Sequence, residues 1–198
     1  MENEGIINKR VKDFSKGIDI IQTILIFLIA LLVPTFFGRI LSKIFGSTSV
    51  ISTNSQLIIG TIVNAALVVS AINLKGWAKI LGVVTMPSIS TILSGYVFGT
   101  ASVYMVYMIP AIWIGNFALI YSYKFLMLGK NKHYFLAGIV GIIVKVAIIF
   151  ALFNLINLFG IFPEKFVDNL RNAMGMTQFI TATLGVIAAF VIYKLEKK

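Results

Sequence analysis

Six blocks of nearly uninterrupted apolar residues dominate the chain, at about Ile20–Leu41, Leu57–Leu74, Ile80–Phe98, Val103–Tyr123, Tyr134–Phe159 and Met176–Tyr193. Each is close to the length of about 20 residues that a helix needs to cross the hydrocarbon layer. None shows the alternation of apolar and polar residues that marks a strand of a membrane barrel. Backbone groups in hydrocarbon must be paired internally, so the pattern predicts an all-α integral membrane bundle of six transmembrane helices. No charged residue separates Lys79 from Lys124, and that stretch is too long for one crossing. A reversal is expected near Gly99–Ser102. Pro34 predicts a kink in the first span, and Gly82, Pro87, Gly95 and Gly99 an irregular third.

The polar segments between the blocks carry patterns of their own. In residues 1–18, Ile7, Val11, Phe14 and Ile18 recur at helical spacing, with Lys9, Arg10, Lys12 and Lys16 off that stripe. Two readings stand: a short amphipathic helix on the membrane surface, or a polar, solvated lead into the first span. Residues 19–198 read as a single transmembrane domain. Lys75, Gly76, Trp77 and Lys79 predict a tight basic turn. In IFPEKFVDNLRNAMG, Pro163 suits a first helical turn, and Phe166, Val167, Leu170 and Met174 share a face. That segment predicts a short helix resting on the outer surface.

Composition agrees: 59% of the 198 residues are hydrophobic and only 12% charged, about half the usual charged share. The net charge of +10 would suggest nucleic acid in a soluble protein. Here the cations cluster between apolar blocks, which makes them topology signals beside anionic lipid and implies no nucleic acid. With the N-terminus inside, the cytoplasmic segments hold Lys9, Arg10, Lys12, Lys16, Lys75, Lys79, Lys124, Lys130, Lys132, Lys194, Lys197 and Lys198. The outer segments hold only Arg39, Lys43, Lys165 and Arg171. The bias predicts cytoplasmic termini at both ends, which an even number of crossings requires.

One cation remains. Lys145 falls near the middle of the fifth span, where an ammonium costs about 3 kcal/mol or more unless it reaches water or a partner. No Asp or Glu lies in any predicted span. Lys145 therefore binds an anionic solute group, lines a wet cavity, meets another protein's carboxylate, snorkels, or is capped by carbonyls in a helix break. Asn116, midway along the fourth span with Trp113 one turn earlier, reads equally as glue between helices or as a ligand contact. Tyr104, Tyr107, Asn154, Asn157, Gln178 and Thr181, with Ser94 and Tyr96, would lie at similar depth in the outer half. Convergent polar groups in an apolar surround are what a solute pocket needs, although tyrosines at a boundary are also routine anchors. Small residues four apart, such as Ala137 with Gly141 and Gly185 with Ala189, allow close helix approach within the bundle or against another protein.

Other chemistries find little support. The chain has no cysteine and one histidine, His133, in a basic loop, which argues against a metal centre or a histidine-based triad. It lacks the G-x-x-x-x-G-K-[ST] sequence of a nucleotide-hydrolysing loop. No enzyme activity and no cofactor are expected. Transport, if carried out, is passive, ion-coupled, or driven by a separate ATPase.

The stretch LGVVTMPSISTILSGYVFGTASVYMVYMIPAIWIGNFALIYSY, residues 81–123, resembles the middle of the substrate-binding S components of energy-coupling-factor (ECF) transporters. The layout is similar across nearly the whole chain: about 200 residues, six spans, a longish first outer loop and a basic tail. The resemblance implies uptake of a vitamin-like or other small micronutrient through the bacterial plasma membrane. It also implies a transmembrane coupling protein and a cytoplasmic ATPase pair as partners. It would place the solute among Tyr104, Tyr107, Asn154, Asn157 and Gln178, to which the reading of the apolar blocks adds Trp113, Asn116 and Lys145 as candidates. The family's A-x-x-x-A contact face corresponds to Ala30, Pro34 and Gly38 here, with proline where the second alanine belongs. The alternatives are a structural or assembly subunit of the membrane, and a self-contained small carrier or channel.

Overall fold

The computed structural model describes residues 5–45, 55–94 and 99–197. Among them there is no strand, and the protein is an all-α, multi-pass membrane protein. Five stretches are long and apolar enough to cross a bilayer: Lys16–Phe37, Ser55–Asn73, Val103–Gly129, Tyr134–Asn157 and Glu164–Glu196.

The first contains α1 (Lys16–Leu32), which passes through a wider π turn at Val33–Phe37 into α2 (Gly38–Phe45). Pro34 sits in that turn, where its missing N–H and its ring disrupt the regular ladder, as the predicted kink requires. Next come α3 (Ser55–Asn73) and α4 (Trp77–Ser94). They are joined by the basic turn read from the sequence, in which Gly76 has φ +90°, a conformation open to glycine without strain. Helix α4 is the third apolar block; it carries Pro87 internally and packs against α1.

A 3-10 segment, Gly99–Met108, leads into α5 (Ile109–Ser122), which a π turn extends over Tyr123–Gly129. Asn131, at φ +52°, ends this run in the left-handed conformation that asparagine tolerates. Helix α6 spans Tyr134–Asn157, α7 Glu164–Met174 and α8 Met176–Glu196. Helix α7 is the expected short amphipathic helix: Leu170 and Met174 are buried and Phe166 and Val167 pack beside them. The predicted long loop before α3 and Tyr96 lie outside the described residues.

The bundle is organised by two tight pairs, α3 with α8 and α5 with α6. Gly185 makes the first possible. A Cβ there would lie 2.5 Å from the Asn64 Cβ and 2.8 Å from the Ala65 nitrogen, so only hydrogen fits. Ala137 and Ala189 are fully buried as well, so these small-residue faces are used inside the chain. Two apolar clusters result. One holds Leu67, Ile72, Ile80, Leu119 and Val186; the other joins Met105, Phe153 and Phe162 to α7. Outward faces such as Ile20, Ile24, Ile143 and Ile187 remain exposed and apolar, as contact with lipid demands.

The N-terminal segment forms no helix over residues 9–15, and Lys12, Asp13, Ser15 and Lys16 on it are exposed, as in a polar lead into the first span. After a 3-10 turn at Ile6–Asn8, it runs beneath the bundle, buries Ile7, and donates the Val11 N–H to the Ile72 carbonyl at 2.8 Å. The last carbonyls of a helix lack partners within it, and this strap satisfies one of them. Lys124, read as a loop cation, is another correction. The π turn carries it inward, where it is fully buried and donates to the carbonyls of Lys9 and Leu74.

Candidate functional site: a buried lysine beside an internal cavity

Lys145 lies near the middle of α6 and is only 2% exposed. Its ammonium donates to the Asn64 side-chain oxygen on α3. The Asn64 amide then donates to the Gly60 carbonyl at 2.8 Å and to the Thr181 hydroxyl oxygen on α8 at 3.2 Å. Thr181 in turn donates to the Gln178 carbonyl at 3.3 Å. A polar chain thus crosses the bundle through three helices. Helical sterics favour it: Gly60 leaves room for the Thr181 side chain, whose nearest carbon would touch any Cβ at 2.8 Å.

Beside this chain is a cavity of about 90 Å³. Its polar wall includes Lys145, Asn64, Asn116, Ser88, Gln178 and Thr181, and its apolar wall includes Val63, Met105 and Met174, from both apolar clusters. A space of this size with several polar partners suits water or a small polar solute. Asn116 is 3% exposed and donates to the Val84 carbonyl at 3.4 Å, a long contact that leaves its oxygen unengaged by this bond. The Ser88 hydroxyl is buried with no hydrogen-bond partner among the described residues. Among the described residues no carboxylate lines the cavity, so none of them neutralises the ammonium.

The structure brings Lys145, Asn116, Gln178 and Thr181 together and leaves Tyr104, Tyr107, Trp113, Asn154 and Asn157 apart. Tyr104 and Tyr107 stand on the 3-10 segment, where residues three apart share one stripe. Met105 and Met108 occupy the buried stripe. Tyr107 is consequently half exposed, and Tyr104 packs on Phe166 of α7, with ring centroids 5.8 Å apart. Asn154 donates to the Phe150 carbonyl of its own helix at 2.7 Å. Asn157 is partly buried at the last turn of α6 and does not line the cavity. Trp113 packs against the larger apolar cluster, with its indole nitrogen buried and unbonded among the described residues, and does not line the cavity either. The contact face is also corrected: Ala30 is fully buried, and Pro34 is buried in the cavity wall, so both point into this chain. Gly38 begins α2.

Asn64, an amide in the second span, is a site residue that sequence reasoning undervalued, and Ser88 is one that it missed. Asn64 carried a usable signal, since an amide inside an apolar helix needs a partner, and the buried lysine needed one too. Ser88 follows Pro87 in a run of small hydroxyl residues, and nothing in the sequence separates it from its neighbours. No protein-family model, curated protein or solved structure matches the chain.

Proposed function

We propose that this protein is a membrane-embedded binding subunit for uptake of a small solute bearing an anionic group. The observation that carries this reading is the cavity whose wall combines the Lys145 ammonium, the Asn116 amide and the Ser88 hydroxyl with no carboxylate among the described residues. A buried cation tied only to a neutral amide is a strong attractor for an anion in low dielectric. The similar layout of the ECF S components supports the same reading. Under it α4 makes the sixth crossing, both termini are cytoplasmic, and a separate coupling protein and ATPase pair supply the energy. Ala30 and Pro34 are turned inward, so the coupling protein meets a different face from the one the family uses.

A second reading is favoured by one observation: Lys145 already has a partner. In that reading the Lys145–Asn64–Thr181 chain only fastens α6, α3 and α8 inside a structural or assembly subunit.

Gentle purification from native membranes, with mass spectrometry of the proteins and small molecules retained, separates the two. Uptake predicts an ATPase pair, a membrane coupling protein and an acidic metabolite that is lost in Lys145→Met. A preparation that keeps a known complex intact yet yields neither the ATPases nor a metabolite would overturn it.

A further inference from the structure

A second cavity, larger than the one beside Lys145, lies where the N-terminal strap meets the ends of α3 and α8 and the turn before α6. It has a volume of about 610 Å³ and is lined by Lys9, Arg10, Lys75, Lys132 and Lys197, with Asp13 as the only carboxylate among the described residues that line it. Two of the cations are engaged. Lys75 reaches Asp13 at 3.0 Å, and Arg10 reaches Asp13 at 2.9 Å and Asp19 at 2.7 Å. The Lys75 ammonium, and after it the Arg10 guanidinium, hold the Asp13 carboxyl below the usual carboxylate range, so it stays ionised at neutral pH. Lys9, Lys132 and Lys197 have no carboxylate partner among the described residues. Lys197 instead lies over the Tyr193 ring, 5.0 Å from its centroid.

The wall is built rather than accidental. The strap is held by the Val11–Ile72 backbone bond, and the buried Lys124 grips the Lys9 carbonyl from behind. Three unpaired lysines around a space of this size exceed what one carboxylate would satisfy. They match a group with two or more charges and several acceptor oxygens. The cavity also opens where helices end and lysines gather, the level at which lipid phosphates lie.

We propose that this basic cavity binds a phosphate-bearing anion, held by Lys9, Lys132 and Lys197. The phosphate belongs either to an anionic lipid headgroup or to a soluble phosphate compound. The site is independent of the Lys145 cavity and of the uptake reading.

The test uses the full chain in nanodiscs of phosphatidylcholine alone. Phosphatidylglycerol is added to the bilayer in one arm and inorganic pyrophosphate to the buffer in the other; thermal stability and native mass spectrometry are read in both. A stabilising shift with the lipid alone assigns a headgroup site, and one with pyrophosphate alone assigns a soluble phosphate. The Lys9→Gln/Lys132→Gln/Lys197→Gln variant should bind about a hundredfold more weakly, each lysine near an anionic surface being worth roughly fivefold. Lys165→Gln, on α7, should bind as the parent does. Should the triple variant fail to fold, Lys132→Gln alone, at an exposed position, should show the roughly fivefold loss. No shift from either addition, or undiminished binding in the lysine variants, would overturn the proposal.

Discussion

The ammonium of Lys145 on α6 is bonded to the side-chain oxygen of Asn64 on α3, 81 positions away in the sequence. The bond joins a group that is expensive in an apolar interior to one of the few neutral acceptors that can reach it. The Asn64 amide nitrogen is itself anchored twice, donating to the Gly60 carbonyl and to the Thr181 hydroxyl. The amide oxygen is therefore held in place for the lysine and is not free to rotate away.

This predicts an asymmetry between the two partners. Asn64→Leu leaves a buried ammonium without its acceptor and should destabilise the protein by about 3–5 kcal/mol. Lys145→Met removes the charge together with its desolvation penalty and should cost less, about 1–3 kcal/mol for the unpaired amide oxygen. The double variant should be more stable than Asn64→Leu alone, a coupling visible in denaturant unfolding of the detergent-solubilised protein. Equal losses in both single variants that add in the double would refute the pairing.

Close helix approach predicts a contrast between glycines. At Gly185 an added methyl would press on the backbone of α3, so Gly185→Ala should lose about 1–3 kcal/mol through overpacking. Gly17, in the first turn of α1, has no atom within 4 Å of a built Cβ. Gly17→Ala should gain up to about 1 kcal/mol from helix propensity. Thermal melts of the two variants should move in opposite directions.

The contrast also shows where the sequence was informative. Helix placement was legible because a run of about 20 apolar residues has few alternatives in a membrane. Lys145 and Asn116 were legible for the related reason that polar groups inside such runs must be satisfied. Helical phase was not. Tyr104 and Tyr107 entered the candidate pocket by depth alone, and the 3-10 geometry of Gly99–Met108 gave the inward stripe to Met105 and Met108. Lys124 was misplaced because a charge at the end of an apolar block ordinarily marks a loop. Only the π turn and the carbonyls of Lys9 and Leu74 explain its burial.

Lys124 should hold the N-terminal strap in place. Lys124→Met keeps the bulk but leaves the carbonyls of Lys9 and Leu74 without their charged donor, so the strap should loosen while the helices persist. Hydrogen exchange at Val11, whose amide bonds to Ile72, should quicken by roughly tenfold, given about 1.5 kcal/mol for a charge-assisted bond. Exchange in the middle of α6 should not change. Uniform acceleration across the chain would mean global destabilisation instead.

The last prediction concerns Ser88, a cavity-lining residue whose hydroxyl has no partner among the described residues. A hydroxyl that only stabilised the fold would be bonded within it, as Ser122 is to the carbonyls of Leu119 and Ala137. Removing the Ser88 oxygen therefore breaks no bond to the described protein, and Ser88→Ala should leave the melting temperature within a degree or two of the parent, roughly the effect of a few tenths of a kcal/mol. If the solute accepts or donates a hydrogen bond there, its affinity should fall by about three- to tenfold, the worth of one such bond. Ser122→Ala should show the reverse, a loss of about 1 kcal/mol in stability with unchanged affinity. Isothermal titration with the metabolite that co-purifies, set against melts of the same preparations, measures both quantities. A Ser88→Ala protein that melts early and binds normally would move this residue from the site to the scaffold.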